Sequence, residues 1–512
     1  MKNSCQQAAI CVGQNAYIYN IYLNIEDLLL LFLTCTLMTV SSEQYDKTDH
    51  DEIIPALLPC DESGHHFVMY SDCCSGIPRK AVAKNLEHVN EMLKRIQPSP
   101  QFISFPGDAV KGYTNDSNEL QQQWDYWLNI QMNWIRERNI PLYQSTSNHN
   151  TYDDQSEAVF RETHLDLPQN GPVDQIGLAY WFRRKNFLYV STHQPDQKML
   201  INHLWLDRVL SENEDAQFKF VVGHYPVFPV NGYTAWPLWC FPPNQRRRFW
   251  DLLVKHNVNA YLTSHIIAFD VQAHDGVLQI LSGGAGTIAG PGGLMPGCCE
   301  YHHAVQMAVD EQGLRYQVHD QTGQLREHLN WPFNLSPVEH WEPIDERRIS
   351  DQLDTSNLEH NITAFRIRGL RRNQGNYIGD ETLVCGIARN EGAEPIWIGF
   401  DQDQLQVRIV TLSGSGWQYW HGPQLSNGSS FDFQIALHPA MGPGGILFRT
   451  GENTAWSSLP STSSRGLELA RWPQYWAIAC GQSGPSDRPF KGEALKVTFT
   501  KTNGQGIVNC GS

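Results

Sequence analysis

Positive charge is what this chain has least of: Lys and Arg number 38 against 54 Asp and Glu, a formal net charge of −16. A protein that grips a phosphate backbone needs a basic face, so the balance argues against a nucleic-acid partner. Internal repeats and low-complexity tracts are absent. Long apolar runs are also missing: Leu28 to Val40 is too short to span a bilayer comfortably. Its length instead suits the core of a signal peptide, with the small residues Ser41 and Ser42 behind it where cleavage would fit. Even there basic residues are scarce. Lys2 is the only one before the run, and Glu26 and Asp27 abut it. Residues 1–42 therefore read as a signal peptide or an N-terminal anchor, unless the true start lies downstream of Met1. The expectation is a secreted or extracellular glycoprotein, with membrane-anchored and lysosomal or vacuolar placement left open. Sequons at Asn115, Asn334, Asn361 and Asn427 are compatible with that. Of 12 cysteines, Cys5, Cys11 and Cys35 precede the cleavage point. The remainder is odd in number, so at least one thiol is free or pairs between chains. Cys73-Cys74 and Cys298-Cys299 are vicinal pairs that could meet, and Cys385 could bridge to Cys480.

What is present is a set of five short polar clusters, each closing an apolar run. They end at Ser71-Asp72, Pro106-Gly107-Asp108, Ser147-Asn148-His149-Asn150, Gly223-His224-Tyr225-Pro226 and Ser264-His265. The intervening text alternates helix and strand patterns. Val82, Leu86, Val89, Leu93 and Ile96 mark one helical face, a strand begins at Phe102, and helices are expected over Trp124 to Arg138 and Arg246 to Val258. Strand, helix and strand in that rhythm give parallel pairs with right-handed crossovers. Side chains just past the carboxyl ends of such strands converge on one crevice. Asp72, Asp108, Asn148, His224 and His265 should meet there as a metal site, although Asp72 could instead cap the helix that follows it. The stretches Val277 to Leu281, Val305 to Val309 and Leu314 to Val318 look like strands closing a second sheet.

These clusters, taken in order, resemble the calcineurin-like metallophosphoesterases, and within them the purple acid phosphatase branch, over roughly residues 62 to 325. Gly223-His224-Tyr225-Pro226 after a Val-rich strand is the most specific part. The resemblance implies a two-sheet αββα sandwich and iron, zinc or manganese, as one or two ions. It implies that one metal is held by Asp108, Asn148, His224 and His265, and that His149 protonates the leaving group. For the second metal only Asp72 and the shared Asp108 survive, because Lys111 and Ile267 stand where that family has Tyr and His. Tyr113 lies two residues too far along. The Lys111 ammonium could replace part of the missing charge, the alternative being a solvated loop lysine. Cys74, two residues after Asp72, could be a further ligand or could be oxidised with Cys73.

At 512 residues with 41% hydrophobic content, two folded domains are expected. The first spans 60–335, a charged, Pro-containing linker covers 336–361, and residues 362–505 form the second. Runs such as Leu405 to Ile409 and Phe431 to Ile435 alternate apolar with polar, which indicates an antiparallel sandwich. Gly444 to Arg449 and Arg488 to Gly492 look similar to laminin G or concanavalin A-like jelly rolls. Trp417, Tyr419, Trp420 and His421 could stack on a glycan, although packing inside the sandwich is the simpler reading. Two functions follow as expectations. One is a secreted, metal-dependent phosphoesterase acting on phosphate esters; the other is a non-catalytic glycan-binding or adhesion protein on a degenerate phosphatase scaffold.

Overall fold

Apolar runs of five to eight residues flanked by turn formers become strands, and 3.6-period stripes become the helices that cover them. The computed structural model describes residues 52–194, 201–230, 240–287, 301–332, 340–342 and 349–350, then 363–372, 380–387, 396–410, 417–425, 430–438, 441, 444–451, 453–461, 475–478, 492–493 and 496–501. The proposed leader, Cys298-Cys299, Cys480, Arg488 and the sequons at Asn334, Asn361 and Asn427 lie outside the described residues.

The site-bearing half contains strands β1 (His65–Met69), β2 (Ile103–Phe105), β3 (Leu142–Gln144), β4 (Tyr180–Arg184), β5 (Phe187–Ser191), β6 (Phe218–Val222), β7 (Ala260–Thr263), β8 (Phe269–His274), β9 (Val277–Ser282), β10 (His303–Asp310), β11 (Gly313–Asp320) and β12 (Leu325–Trp331). Its helices are α1 (Ala81–Lys94), α2 (Ser117–Tyr126), α3 (Asn133–Glu137), α4 (Asp154–Thr163), α5 (His203–Glu212) and α6 (Pro243–Lys255). One sheet runs β12-β11-β10-β1-β2-β3 and the other β8-β9-β7-β6-β5-β4. Thus Val277 to Leu281 does close the second sheet, but the strands at Val305 and Leu314 belong to the first, where β10 pairs antiparallel with β1. Strand patterns carry no label for the sheet they join, which is why the expectation of a second-sheet place for Val305 to Val309 and Leu314 to Val318 fails.

The two sheets face each other across an aromatic core. Phe67 of β1 meets Phe220 of β6 edge-on at 5.4 Å, and the hydroxyls of Ser104 and Tyr189 bridge the sheets at 2.8 Å. The stripe Trp205, Leu206, Val209 and Leu210 of α5 packs with α6 on Leu188, Val190 and Val221, the outer face of the second sheet. Each such fully buried side chain contributes about 1.5–3 kcal/mol. On the other side, Leu86, Val89 and Leu93 of α1 join the core of the first sheet. The helix expected over Trp124 to Arg138 starts earlier, where Asp116 caps it, and passes through a π turn (Trp127–Gln131) into α3.

β1, β2 and β3 are mutually parallel, as are β5, β6, β7 and β9. All five polar clusters consequently fall at carboxyl strand ends on one edge of the sandwich.

Apart from a short parallel pair, Ile54–Pro55 with Ile96–Gln97, the remaining described strands are antiparallel and form two further sheets that share a core of Phe365, Ile367, Ile398, Val407, Trp420 and Ile435, among others. His340–Glu342 and Ile349–Ser350, inside the stretch read as a linker, are strands of those sheets. Ile53–Ser512 is one compact unit, and the Ala273 and Asp275 amides of β8 and its turn donate to Ser458 and Ser457 Oγ at 3.0 and 2.8 Å. Trp417, Tyr419, Trp420 and His421 do not form an exposed platform. Trp420 is fully buried, and the Tyr419 ring is covered by the Arg408 guanidinium at 5.5 Å, so the glycan reading has no support. Alternation along the strand sends Trp420 inward and its neighbours outward.

Candidate metal centre

After β2 the chain must turn at once to bring Asp108 over the strand ends. Gly107 makes the turn at φ 112°, and a Cβ there would sit 2.6 Å from Ser147 Cβ and 2.8 Å from His224 Nδ1. The Asp108 amide then donates to Ser147 Oγ at 2.8 Å, and the His149 amide donates to Asp108 Oδ1 at 3.3 Å. His224 follows β6 and His265 follows β7, so adjacent parallel strands deliver both imidazoles to the same place.

There they converge. His224 Nε2 lies 2.8 Å from Asn148 Oδ1, 3.3 Å from Asp108 Oδ1 and 3.0 Å from His265 Nδ1, which is itself 3.1 Å from Asn148 Oδ1. The four residues chosen from the sequence share one pocket.

Proton bookkeeping shows what the pocket suits. His224 Nδ1 sits 3.0 Å from the Pro106 carbonyl, which can only accept, so Nδ1 carries the proton and Nε2 presents a lone pair. Ser264 Oγ, 2.8 Å from Nδ1, supports the same orientation. Asn148 Nδ2 donates to Tyr113 OH at 3.2 Å, which turns its Oδ1 inward. The centre is thus ringed by an imidazole lone pair, an amide oxygen and a carboxylate oxygen, and His265 Nδ1 brings a second imidazole lone pair when its proton sits on Nε2. A divalent cation satisfies all four ligands at once, and oriented imidazoles backed by a carbonyl are the usual surroundings of a metal. The donor set therefore fits a metal ion. Burial pushes His224 below the ordinary histidine range, and at Asp108 burial acts upward while positive charge on the facing imidazoles acts downward.

Asp72 lies in the same crevice but is turned away from the ring. Its carboxylate accepts from the His265 amide at 3.1 and 3.2 Å and from Ser71 Oγ at 2.8 Å. Burial first, and the Asp108 charge second, push its pKa well up. Asp72 thus fixes the peptide that carries His265 and is not a cap for α1.

Lys111 takes the second of its two expected places, that of a solvated loop lysine. Its side chain is exposed and makes no ion pair with Asp72 or Asp108; only its carbonyl reaches the site, 2.6 Å from His149 Nδ1. The cause is the backbone. Gly112 turns at φ 60°, pressed against the His149 carbonyl, and lays the exposed Tyr113 ring over Asn148 and His149 where residue 111 would otherwise reach. Tyr113, set aside on spacing, stacks on Tyr152 at 5.0 Å and meets His149 edge-on at 4.8 Å. Ile267 is half-buried. Cys73 and Cys74 are both thiols rather than a vicinal disulfide. Cys73 is engaged with Trp127 Nε1 at 3.3 Å, and Cys74 Sγ lies 3.8 Å from Asp108 Oδ2.

Ser147, Ser264, Tyr113 and the Pro106 carbonyl are the site residues that sequence reasoning passed over. The two serines stood beside chosen ligands, which was the available signal.

A further mark of the site is its backbone. Asp72, Cys74, Asp108, Tyr113 and His265 have φ of 62°, 43°, 53°, 48° and 74°. Such left-handed conformations in residues with a Cβ cost roughly 1–3 kcal/mol each and gather where geometry serves function.

No protein-family model and no curated protein matches the chain. Over about half its length it is similar to solved structures. These include a dimetal phosphatase from Danio rerio (15% identity, 50% of this chain and 95% of that one, TM-score 0.36). They also include the phosphopantetheinyl hydrolase of Mycobacterium tuberculosis (12% identity, 44% and 88%, TM-score 0.27). A third is GAP50, described as the anchor in the inner membrane complex of Plasmodium (14% identity, 52% and 88%, TM-score 0.36).

Proposed function

We propose that the chain is a metal-dependent phosphoester hydrolase whose ion is held by Asp108 Oδ1, Asn148 Oδ1, His224 Nε2 and His265 Nδ1. The observation that carries this reading is the convergence of four ligand atoms: His224 Nε2 lies within 3.3 Å of Asn148 Oδ1, Asp108 Oδ1 and His265 Nδ1, while its Nδ1 is held 3.0 Å from the Pro106 carbonyl. A divalent cation there supplies Lewis acidity toward a phosphoryl oxygen. The protein's own residues do the rest of the positioning. Ser264 and Pro106 aim His224, Asp72 secures the His265 peptide, and Tyr113 fixes the Asn148 amide. The ion also supplies the local positive charge that a chain of net charge −16 lacks for an anionic substrate.

We further read the protein as a secreted enzyme of the purple acid phosphatase type, its C-terminal sheets forming a laminin G or concanavalin A-like sandwich. The disulfide at Cys60 supports an oxidising compartment. A second reading, a non-catalytic scaffold, draws on the exposed Lys111 and on Ile267 in place of a second imidazole.

The deciding experiment measures metal content and hydrolysis of an aryl phosphate and its diester for the wild type and Asp108→Asn. Bound metal with turnover, both lost in the variant, is the expected result. Metal-free, inert wild type overturns the hydrolase reading, and bound metal without turnover favours the scaffold.

A further inference from the structure

β8 is the outermost strand of the second sheet, and a sheet edge presents N–H and C=O groups that need cover. The C-terminal sheets supply it. The Ala273 and Asp275 amides donate to Ser458 and Ser457 Oγ, and the Gly276 amide donates to the Trp456 carbonyl at 3.2 Å. Gly444 passes so close that a Cβ there would sit 2.0 Å from the Val271 carbonyl oxygen. Behind these bonds Ala364, Ala436 and Leu447, paired in a row across three neighbouring strands, join Phe269, Val271 and Ala273 in one core. Phe365, Ile435 and Ile446, one position along on the same strands, face the opposite way into the C-terminal core. One C-terminal sheet is therefore shared by two cores, and its outer face is seated on β8.

From β8 the contacts continue to both imidazoles. The strand begins four residues after His265, and the Gly283 amide, at the end of β9, donates to the Ala268 carbonyl between them at 2.9 Å. Gln272 of β8 donates from Nε2 to the Pro229 carbonyl at 2.9 Å. Gln279 of β9 accepts from the Val227 and Phe228 amides at 2.8 and 2.9 Å and donates to the Phe228 carbonyl at 3.1 Å. Val227 to Pro229 continue the segment that carries His224. Both metal-facing histidines thus sit on chain fastened to β8 and β9, and the outer edge of β8 is fastened to the C-terminal sheets.

We propose that the C-terminal sheets buttress the metal centre: by holding the outer edge of β8 they fix the segments that present His224 and His265, and cation affinity depends on that contact. The proposal rests on the reading of the pocket as a metal site. Ligand atoms must be held within about 0.5 Å of their working positions, so a strand that supports two of four ligands governs affinity without touching the ion. Ser458 and Gly444 are positioning residues in this arrangement. The coupling is reciprocal, since a cation that grips His224 and His265 must strengthen the β8 contact by the factor that the contact strengthens cation binding. The C-terminal half thereby acquires a part in the site that requires no ligand of its own.

The test strips the full-length protein with a chelator and titrates it with Zn2+ against a competing chelator. Ser458→Ala leaves the Ala273 amide without its acceptor, and Gly444→Ala drives a methyl group into the Val271 carbonyl. Each should bind Zn2+ about 2- to 30-fold more weakly than the wild type, the range over which residues remote from a ligand alter its binding. Ile398→Val trims the C-terminal core on the sheet that does not meet β8, so it should lower the thermal midpoint and leave Zn2+ affinity unchanged. In the wild type, Zn2+ should slow hydrogen exchange at the Ala273 amide. Wild-type affinity in both contact variants, or an equal loss in Ile398→Val, overturns the buttress and leaves the pocket intact. A wild type that binds no Zn2+ overturns the pocket and the buttress with it. If Gly444→Ala fails to fold, Ser458→Ala, which loses one hydrogen bond to β8, decides the matter alone.

Discussion

Replacing Asp270 by Asn should stabilise the protein at alkaline pH and not at acid pH. Asp270 lies on β8, is 5% exposed, and accepts one hydrogen bond, from Gln272 Nε2 at 2.8 Å. Burial outweighs that bond and pushes its pKa from 3.8 to about 7. A rise of about 3 units corresponds to ~4 kcal/mol. The native state holds the proton more tightly than the unfolded chain. The contribution is therefore fully present below pH ~4 and is lost as pH rises through ~7, with about 3 kcal/mol of it falling between pH 4.5 and 8. Asn keeps the shape and the acceptor for Gln272 but does not ionise. Its amide hydrogens introduce an unsatisfied donor costing about 1–3 kcal/mol at every pH. The absolute change at either pH is thus modest, whereas the difference between the two pH values isolates the ionisation, because all other titrations cancel between variant and wild type. Urea unfolding followed by tryptophan fluorescence at pH 4.5 and 8 gives both numbers. A stability difference between Asp270→Asn and wild type that is the same at both pH values would refute the argument that this carboxyl is protonated by burial.

Two further outcomes test the architecture of the metal centre. Tyr113→Phe keeps the ring against His149 and Tyr152 but frees the Asn148 amide to rotate. Cation affinity at the pocket should fall about 10- to 100-fold by titration calorimetry, the scale of lost support behind a ligand, and an unchanged affinity removes Tyr113 from the site. Gly112→Ala puts a methyl group against the His149 carbonyl at φ 60°. Left-handed strain alone predicts a loss of about 1–2 kcal/mol before the clash is counted, so an unaltered thermal midpoint contradicts the turn geometry.

Much of this centre was legible because parallel strands impose a simple rule: whatever follows the apolar run at the carboxyl end arrives at the crevice. That rule gathers Asp72, Asp108, Asn148, His224 and His265, and the family resemblance singles out the last four as one metal's ligands; the α1 and α6 stripes could be read from periodicity. Other features had no code in side-chain identity. The carbonyls of Pro106 and Lys111 set the tautomers of His224 and His149, yet any residue at those positions offers a carbonyl, so the sequence is silent about them. Spacing placed Tyr113 too far from Asp108, but spacing assumes a regular backbone, and Gly112 breaks it. Trp420 shows the converse, an aromatic whose burial depends on which sheet face it occupies.

The left-handed residues sharpen the point. Local propensity disfavours φ near 60° for a residue with a Cβ, so a reading of Asp72, Cys74, Asp108, Tyr113 and His265 one at a time points each toward ordinary conformations. They hold the strained form because other bonds over-determine them: the His265 amide is fastened to Asp72, the Asp108 amide to Ser147, and Tyr113 to Asn148. Local preference and global fold disagree at five positions of one crevice, and such disagreement is where natural proteins spend stability on function. A cation drawing Asp108, Asn148, His224 and His265 together should tighten those same bonds. Amide hydrogen exchange at Asp108 and His265 should therefore slow on metal loading, while exchange in β11, remote from the crevice, stays as it was. Equal exchange at Asp108 and His265 with and without metal would mean that the strain serves the fold alone.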